Sequence, residues 1–170
     1  MNKFRKTLIG GTVVTLSIVA LGYVIANMRT VPAGYVGVRV NLYADKGVEN
    51  AVVGVGRYFL SINEQLYKFP TFNQLCNYDI PFTFQTSDAM DVRAAVGVEY
   101  NIDPAKASKI FQTYRKGLEE ITEINLRQYI SDALIKHASR MDINELTQGG
   151  KTSLLSSVLN DLRAQLDPIG

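Results

Sequence analysis

Two glycine-containing segments have spacings that resemble phosphate-binding loops. The letters GGKTS at 149–153 imitate the end of a P-loop, in which backbone N–H groups and a lysine hold phosphate oxygens. The complete motif needs a further glycine at the position that Glu145 occupies. Gly54 and Gly56 likewise begin a dinucleotide fingerprint, but Phe59 stands where its third glycine belongs. We therefore predict a linker before a helix and a bend in a strand, and no nucleotide site.

The chain has a single histidine, His137, and a single cysteine, Cys76. Zinc sites need several Cys or His ligands, and Cys–His catalysis needs both groups at one site. Cys76 lies between apolar neighbours and is predicted to be a small core residue. His137 falls late in a helical segment, where it is predicted to interact with the negative end of the helix. The residue types predict no enzyme, no metal and no cofactor.

Charged residues give a net charge of +2, and no basic cluster lies beyond the N-terminus, which argues against nucleic acid as a partner. Glu119 and Glu120 are adjacent on a predicted helix, so they point in different directions and cannot share a proton. With Glu123 they are predicted to form ordinary surface pairs with Arg127. The alternative interpretation is a charged interface to a neighbouring subunit.

Residues 7–28 contain no charged side chain. About 20 helical residues cross the roughly 30 Å of bilayer hydrocarbon, so this segment predicts a transmembrane anchor. Residues 1–6 form a basic stub, and only Arg29 follows the anchor closely. By the positive-inside rule, the stub is cytoplasmic and the main domain exocytoplasmic. That side is the periplasmic face of a bacterial inner membrane, or its equivalent at the mitochondrial inner membrane.

A cleaved signal peptide is the alternative interpretation of the N-terminal segment. The basic start and apolar core are typical of one, and Ala26 offers a small residue for cleavage. The apolar run is longer than a usual signal-peptide core, and the A-x-A pattern is missing. Cleavage would make the protein an exported soluble binding module, and the intact mass of the mature protein separates the two interpretations.

Strand-like patterns extend from 31 to 102, followed by helical ones. Alternating apolar residues predict strands at 36–42, 51–62 (with a glycine bend), 64–69, 74–84 (interrupted by Pro81) and 92–102. A loop is predicted at 44–50, and a turn at 87–91 joins the last two strands into a hairpin.

Asp103-Pro104 is a helix-start signal, and Gly117 is predicted to end that first helix. A second helix is predicted over 118–139 and a third over 152–166. The fold class is therefore α+β: a transmembrane helix, then a mostly antiparallel sheet of about five strands with about three C-terminal helices. The predicted inward residues are Ile121, Ile124, Tyr129, Ala133 and Leu134 in the second helix, and Leu155, Leu159, Leu162 and Leu166 in the third.

Four short motifs occur in the order and spacing of a known family. The chain reads VPAGYVGV at 31–38, GVGRYF at 54–59, TSDAMDV at 86–92 and VGVEYNIDP at 96–104. Each is degenerate alone, but together they resemble the SPFH (band 7, prohibitin-homology) family, which includes stomatins and prohibitins. The resemblance covers nearly the whole chain and assigns 31–170 to an SPFH-like domain.

The resemblance implies a non-enzymatic scaffold that packs laterally with its own copies into rings or cages on a membrane. Such proteins are tied to membrane microdomains or to membrane-bound proteases. The topology predicted from charge agrees with prohibitins and the bacterial protease-associated members, and differs from stomatins. Family members usually continue beyond a position like Gly170 into a strand and a coiled coil, and whether this chain does so stays open.

Apolar residues directly after the predicted anchor are candidates for lipid contact. Val31, Pro32 and Tyr35 are the predicted membrane-contacting residues, with the tyrosine suited to the headgroup region. The lipid bilayer and further copies of the chain are the predicted partners, and a membrane-bound protease is a third.

Overall fold

The computed structural model describes residues 16–43 and 52–170, so the loop predicted at 44–50 lies outside the described residues. Residues 16–26 form a helix, α1. Nine strands follow within the described ranges: β1 (Met28–Val31), β2 (Tyr35–Asn41), β3 (Val52–Val53), β4 (Gly56–Phe59), β5 (Glu64–Pro70), β6 (Gln74–Asn77), β7 (Phe82–Gln85), β8 (Asp91–Ala94) and β9 (Gly97–Tyr100).

The α+β class is confirmed, but the strands form four small antiparallel sheets instead of one of about five strands. The sheets pair β1 with β4, β2 with both β3 and β5, β6 with β9, and β7 with β8. Three of the predicted strands, 51–62, 74–84 and 92–102, are therefore each split in two. The break around Pro81 separates β6 from β7, because proline cannot donate a ladder hydrogen bond. A matching break at 95–96 separates β8 from β9, so the two halves of the hairpin pair separately.

A first core lies under the β3-β2-β5 sheet. The alternation predicted for β2 is confirmed: Val36, Val38 and Val40 are buried, although Leu42, past the strand end, is exposed. β5 pairs with β2 along its whole length, Tyr35 opposite Pro70 and Asn41 opposite Glu64. The helix over 107–114 packs against this sheet and contributes Ala107, Ile110 and Phe111. The core consists of Val36, Val38, Val40, Phe69, Ile102, Ala107, Ile110, Phe111 and Ile121.

Gly37 is the position in β2 where any side chain would collide with three neighbours. A Cβ there would lie 2.7 Å from Val53 Cγ2 and 2.9 Å from both Leu66 Cδ1 and Val31 Cγ2. We expect Gly37→Ala to lower the free energy of unfolding by about 1–3 kcal/mol, because overpacking forces neighbours to move. Gly54→Ala is the matched control, since a Cβ at Gly54 meets nothing within 4 Å. Equal urea midpoints for the two variants would contradict this packing.

The helices begin where the capping residues indicate, but not all end there. Asp103 Oδ1 accepts a hydrogen bond from the N–H of Ala105, which confirms the predicted start. Helix α2 ends at Tyr114 because Arg115 adopts a left-handed conformation, whereas Gly117 precedes the next helix. The helical elements are a 3₁₀ turn (Pro104–Lys106), α2 (Ala107–Tyr114), α3 (Leu118–Glu120), a π-helical stretch (Ile121–Leu126), α4 (Arg127–Ala138), α5 (Ile143–Glu145), a second π-helical stretch (Leu146–Gly150) and α6 (Lys151–Leu166).

A second core lies between β6–β9 and the helices α4 and α6. The wide π-helical turn over Ile121–Leu126 joins the two cores, because Ile121 is buried in the first core and Leu126 in the second. The same turn leaves Ile124 exposed, against prediction. This core consists of Tyr78, Phe82, Phe84, Leu126, Ile130, Ala133, Leu134, Ala138, Leu146, Leu154, Val158 and Leu162.

The buried face of α6 agrees with the prediction at Leu162 and Leu166 but differs from it at Leu155 and Leu159. Leu154 and Val158 are buried, whereas Leu155 and Leu159 are exposed. Both pairs have the same four-residue spacing, so periodicity alone cannot choose between them. The helix is oriented by the kink before it, where Gly149 has a φ of 114°.

The half of the domain around the first core and the half around the second core are joined at the C-terminal end of α6. Lys106 Nζ donates to the carbonyl of Asp167 at 2.6 Å, and Lys109 Nζ donates to that of Pro168 at 2.7 Å. Ile169 packs against the first core. The backbone carbonyls that follow α6 therefore accept hydrogen bonds from two lysines of the 104–114 helical segment. Positive charges are favourable at the C-terminal end of a helix.

Candidate membrane-facing surface

Helix α1 exposes every side chain from 16 to 26, and most of them are apolar. A helix that is apolar on all sides ordinarily has its surface covered by protein or lipid. None of the described helices is both long and apolar enough to cross a membrane. Residues 7–15 of the predicted anchor lie outside the described residues.

The end of α1 is attached to the first sheet. Asn27 caps the helix, its side-chain amide donating to the carbonyl of Tyr23 at 2.9 Å, and its own carbonyl accepts from the N–H of Leu60 at 3.1 Å. The rings of Tyr23 and Phe59 meet edge to face with centroids 6.3 Å apart. Met28 then pairs with Phe59 as β1 begins. α1 therefore enters the domain at the end of β4 and beside the turn that follows it.

A group of exposed apolar side chains surrounds this entry point. β4 ends at Phe59, and the turn to β5 carries Ile62, which is 77% exposed. The N–H of Leu42 donates to the carbonyl of Asn63, which places the end of β2 beside this turn. Tyr43, the next residue, is 79% exposed. We call these residues the apolar rim: Met28, Leu42, Tyr43, Phe59 and Ile62.

The turn that carries Ile62 is held by an ion pair below the rim. Glu64 Oε2 accepts from Arg39 Nη2 at 2.5 Å and from the N–H of Ser61 at 2.9 Å. The Arg39 guanidinium, more than the Ser61 amide, holds the pKa of the Glu64 carboxyl below its ordinary value. The carboxylate is therefore charged at neutral pH and fixes the shape of the turn.

The three residues predicted to contact lipid lie elsewhere in the sheet. Val31 is fully buried and pairs with Gly56, so its side chain supports the sheet from inside. Pro32 is exposed in the turn after β1, and Tyr35 is half-buried with its ring against Phe72, centroids 5.6 Å apart. This turn lies at the start of β2, whereas the rim lies beyond its end. Six residue steps along β2, from Tyr35 to Asn41, separate this turn from Leu42 and Tyr43 of the rim by about 20 Å.

The chemically capable side chains are scattered across the second half. Cys76 is partly buried against the second core, in line with its predicted role. His137 Nε2 lies 2.8 Å from Asp161 Oδ2 on α6, and Lys136 Nζ lies 2.6 Å from the same oxygen. The hydrogen bond from Lys136, followed by that from His137, lowers the pKa of Asp161. These contacts link α4 to α6. The described residues contain no group of three potential metal ligands.

Arg127 does not form the predicted surface pair with the preceding glutamates. Its guanidinium donates to the carbonyl of Ile80 at 3.1 Å and lies 5.4 Å from the ring centroid of Tyr78 and 4.9 Å from that of Phe82. Such cation–π contacts stabilise by about 0.5–2 kcal/mol, depending on exposure. Tyr78 in turn donates its hydroxyl to the carbonyl of Thr122 at 3.0 Å, and burial raises the pKa of Tyr78. Arg127 therefore closes the gap between β6 and β7.

The fold and the apolar rim together fit an α+β domain that associates with a membrane. A family model described as the SPFH domain / Band 7 family matches residues 29–170. The chain belongs to the SPFH/Band 7 family, and the resemblance found in its sequence motifs is confirmed. Members of this family are in general membrane-associated scaffolds without enzymatic activity. A search of curated proteins found no significant match.

Proposed function

We propose that this protein is a non-enzymatic membrane scaffold with a single N-terminal anchor over 7–28. The anchor spans the bilayer with residues 1–6 in the cytoplasm, and the domain over 31–170 lies on the exocytoplasmic side. There the domain associates laterally with its own copies, and the assembly organises a membrane microdomain or regulates a membrane-bound protease. Family membership supports the general class, and the charge pattern around the anchor supports the topology.

The observation that carries this proposal is the position of the apolar rim. Its exposed apolar side chains lie at the end of the sheet where the apolar helix enters, and the opposite end carries the Pro32–Tyr35 turn. If α1 is anchored in the bilayer, the rim is the part of the sheet that lies next to the headgroup layer, and the Pro32–Tyr35 turn is the part that lies farther away. Burying Ile62 and Tyr43 there removes apolar surface from water, which is favourable by about 25 cal/mol per Å². We therefore propose lipid contact for the rim and assign Val31 a structural role.

Anchoring also explains why weak lateral contacts are enough for a scaffold. A domain held at the membrane by one helix is confined to two dimensions, which raises its effective concentration for self-association. Small contact surfaces that fail in dilute solution then suffice, and the function needs no catalytic group.

The lipid-facing end can be identified with single tryptophan probes, because the chain contains no tryptophan. Phe59 in the rim and Phe72 at the opposite end are a matched pair, 44% and 46% exposed, each with one tyrosine edge contact. In full-length protein reconstituted into vesicles, we expect Phe59→Trp to give blue-shifted emission. Lipids that are brominated near the headgroup are expected to quench this emission. We expect Phe72→Trp to be quenched by aqueous iodide and not by these lipids.

Two outcomes would contradict the proposed orientation. Lipid quenching of Phe72→Trp alone would show that the Pro32–Tyr35 turn faces the bilayer, as first predicted from the sequence. Lipid quenching of neither probe would show that the domain stands clear of the bilayer. Emission of both variants in detergent without brominated lipid provides the baseline.

A further inference from the structure

Two clefts run along the strand β8–β9, between it and α6. The first, of about 290 Å³, follows 98–102 and is walled by Leu159, Leu162 and Leu166; the second, of about 480 Å³, follows 92–96 and includes Leu155. Within the described residues, β8 pairs only with β7, and β9 only with β6. This side of the domain therefore combines an open strand edge with a partly exposed apolar helix.

The exposed residues of α6 beside these clefts form one stripe. Lys151, Leu155, Leu159 and Arg163 follow one another at four-residue intervals, so they lie along one side of the helix. Leu155 is 54% and Leu159 45% exposed. Neither Lys151 nor Arg163 belongs to an ion pair in the part of the chain that the structure describes. We call these four residues the basic leucine stripe.

A patch of opposite charge lies on α3 and the π-helical stretch after it. Glu119, Glu120 and Glu123 are exposed, and none of them belongs to an ion pair among the described residues. Ile124, next to them, is 55% exposed. We call these four residues the acidic isoleucine patch.

The patch and the stripe face different directions. Ile121, Thr122 and Leu126 line the first cleft from the inner side of the helix that carries the acidic isoleucine patch. Glu120, Glu123 and Ile124 are exposed on its outer side. The patch therefore points away from the cleft, beside which the basic leucine stripe lies, and one copy cannot bring its own two surfaces together.

We propose that the acidic isoleucine patch of one copy docks on the basic leucine stripe of the next, so that copies associate head to tail. Three carboxylates face two cations, and Ile124 covers the exposed leucines between those cations. Because the two surfaces differ, the contact is heterologous and builds a ring or a row instead of a closed pair. This inference rests on the proposed function, in which the scaffold self-associates, and it names the surfaces that do so.

The test blocks each surface separately in the full-length chain in detergent or lipid nanodiscs. Leu159→Asp places a carboxylate inside the stripe, and Ile124→Asp removes the apolar centre of the patch. Each is expected to weaken self-association by on the order of tenfold or more, because a buried apolar anchor carries much of the energy of such a contact. Val55→Asp, at a residue that is 63% exposed between β3 and β4 and lines neither cleft, is the matched control and should assemble like the unmodified chain. Mass photometry measures the size of the assembly, and circular dichroism verifies folding.

Mixing the two variants gives the decisive result. Each retains one intact surface, so a mixture is expected to form a 1:1 pair that grows no further, and its formation also shows that both variants are folded. Higher assemblies of either folded variant alone, or no pair in the mixture, would overturn the head-to-tail contact. If the unmodified full-length chain is itself monomeric in membranes, the self-association in the proposed function fails as well. An assembled wild type with unaffected variants overturns only the surfaces named here.

Discussion

Replacing Phe69 with alanine is expected to lower the free energy of unfolding by about 3–5 kcal/mol. Phe69 is fully buried in the first core and pairs with Val36 across the sheet. Truncating the ring removes buried apolar surface and leaves a cavity that the β2–β5 ladder prevents from closing. A loss of this size is a large share of the 5–15 kcal/mol that stabilises a typical domain. Urea unfolding of the detergent-solubilised chain, followed by circular dichroism, measures it.

Phe72→Ala is the control for this prediction. Phe72 lies three residues further on and is about half exposed, so its truncation removes little buried surface. We expect a clearly smaller loss of unfolding free energy than for Phe69→Ala. Equal losses would mean that Phe69 does not occupy the centre of the first core.

Ile130→Ala is expected to lower the free energy of unfolding by about 2–5 kcal/mol. Ile130 on α4 is fully buried in the second core, where the helix packs against β7 and α6. This half also carries the basic leucine stripe, so loosening α4 and α6 should weaken self-association as well. The thermal midpoint of the reconstituted protein and its assembly size can be measured on one sample.

The same helix provides a matched control at Ile135. Ile135 is 47% exposed, and Ile135→Ala should change the unfolding free energy by no more than about 0.5 kcal/mol, as is usual for surface positions. A larger effect for Ile135→Ala than for Ile130→Ala would show that the buried face of α4 has been assigned wrongly.

Local signals in the sequence predicted much of the fold correctly. The alternation in β2, the strand break at the glycines before β4, the hairpin around 87–91 and the cap at Asp103 all depend on neighbouring residues. Short-range steric and hydrogen-bonding preferences set these features, so they can be recognised without knowing the rest of the chain. The family motifs have the same local character, and the family assignment is confirmed.

The errors concern features that depend on which surfaces meet. Leu155 and Leu159 were predicted to face inward, but the stripe displaced by one residue, through Leu154 and Val158, is the buried one. The sequence predicts surface pairs between Arg127 and glutamates one to two turns before it, but Arg127 lies over the rings of Tyr78 and Phe82 from another part of the chain. In both cases the alternatives are locally equivalent, and only long-range packing distinguishes them.

The surroundings of the helix entry depend on long-range packing in the same way. The sequence indicated an apolar segment leading into a sheet, and it suggested the residues directly after that segment as the lipid contact. In the folded chain, β1 leads those residues away from the helix entry. Two turns that come later in the sequence lie beside the entry instead: one at Leu42, 14 residues after Met28, and one at Ile62, 34 residues after it.

The sequence by itself determined the α+β class, the positions of most strands and helices, the family and the uncharged N-terminal segment, because each is encoded in the types and spacing of nearby residues. Only the tertiary structure decided how the strands divide into four small sheets, which side of α6 is covered, and which apolar residues surround the entry of α1. Those outcomes depend on contacts between segments far apart in the chain. Sequence periodicity describes each segment separately and carries no information about these long-range contacts.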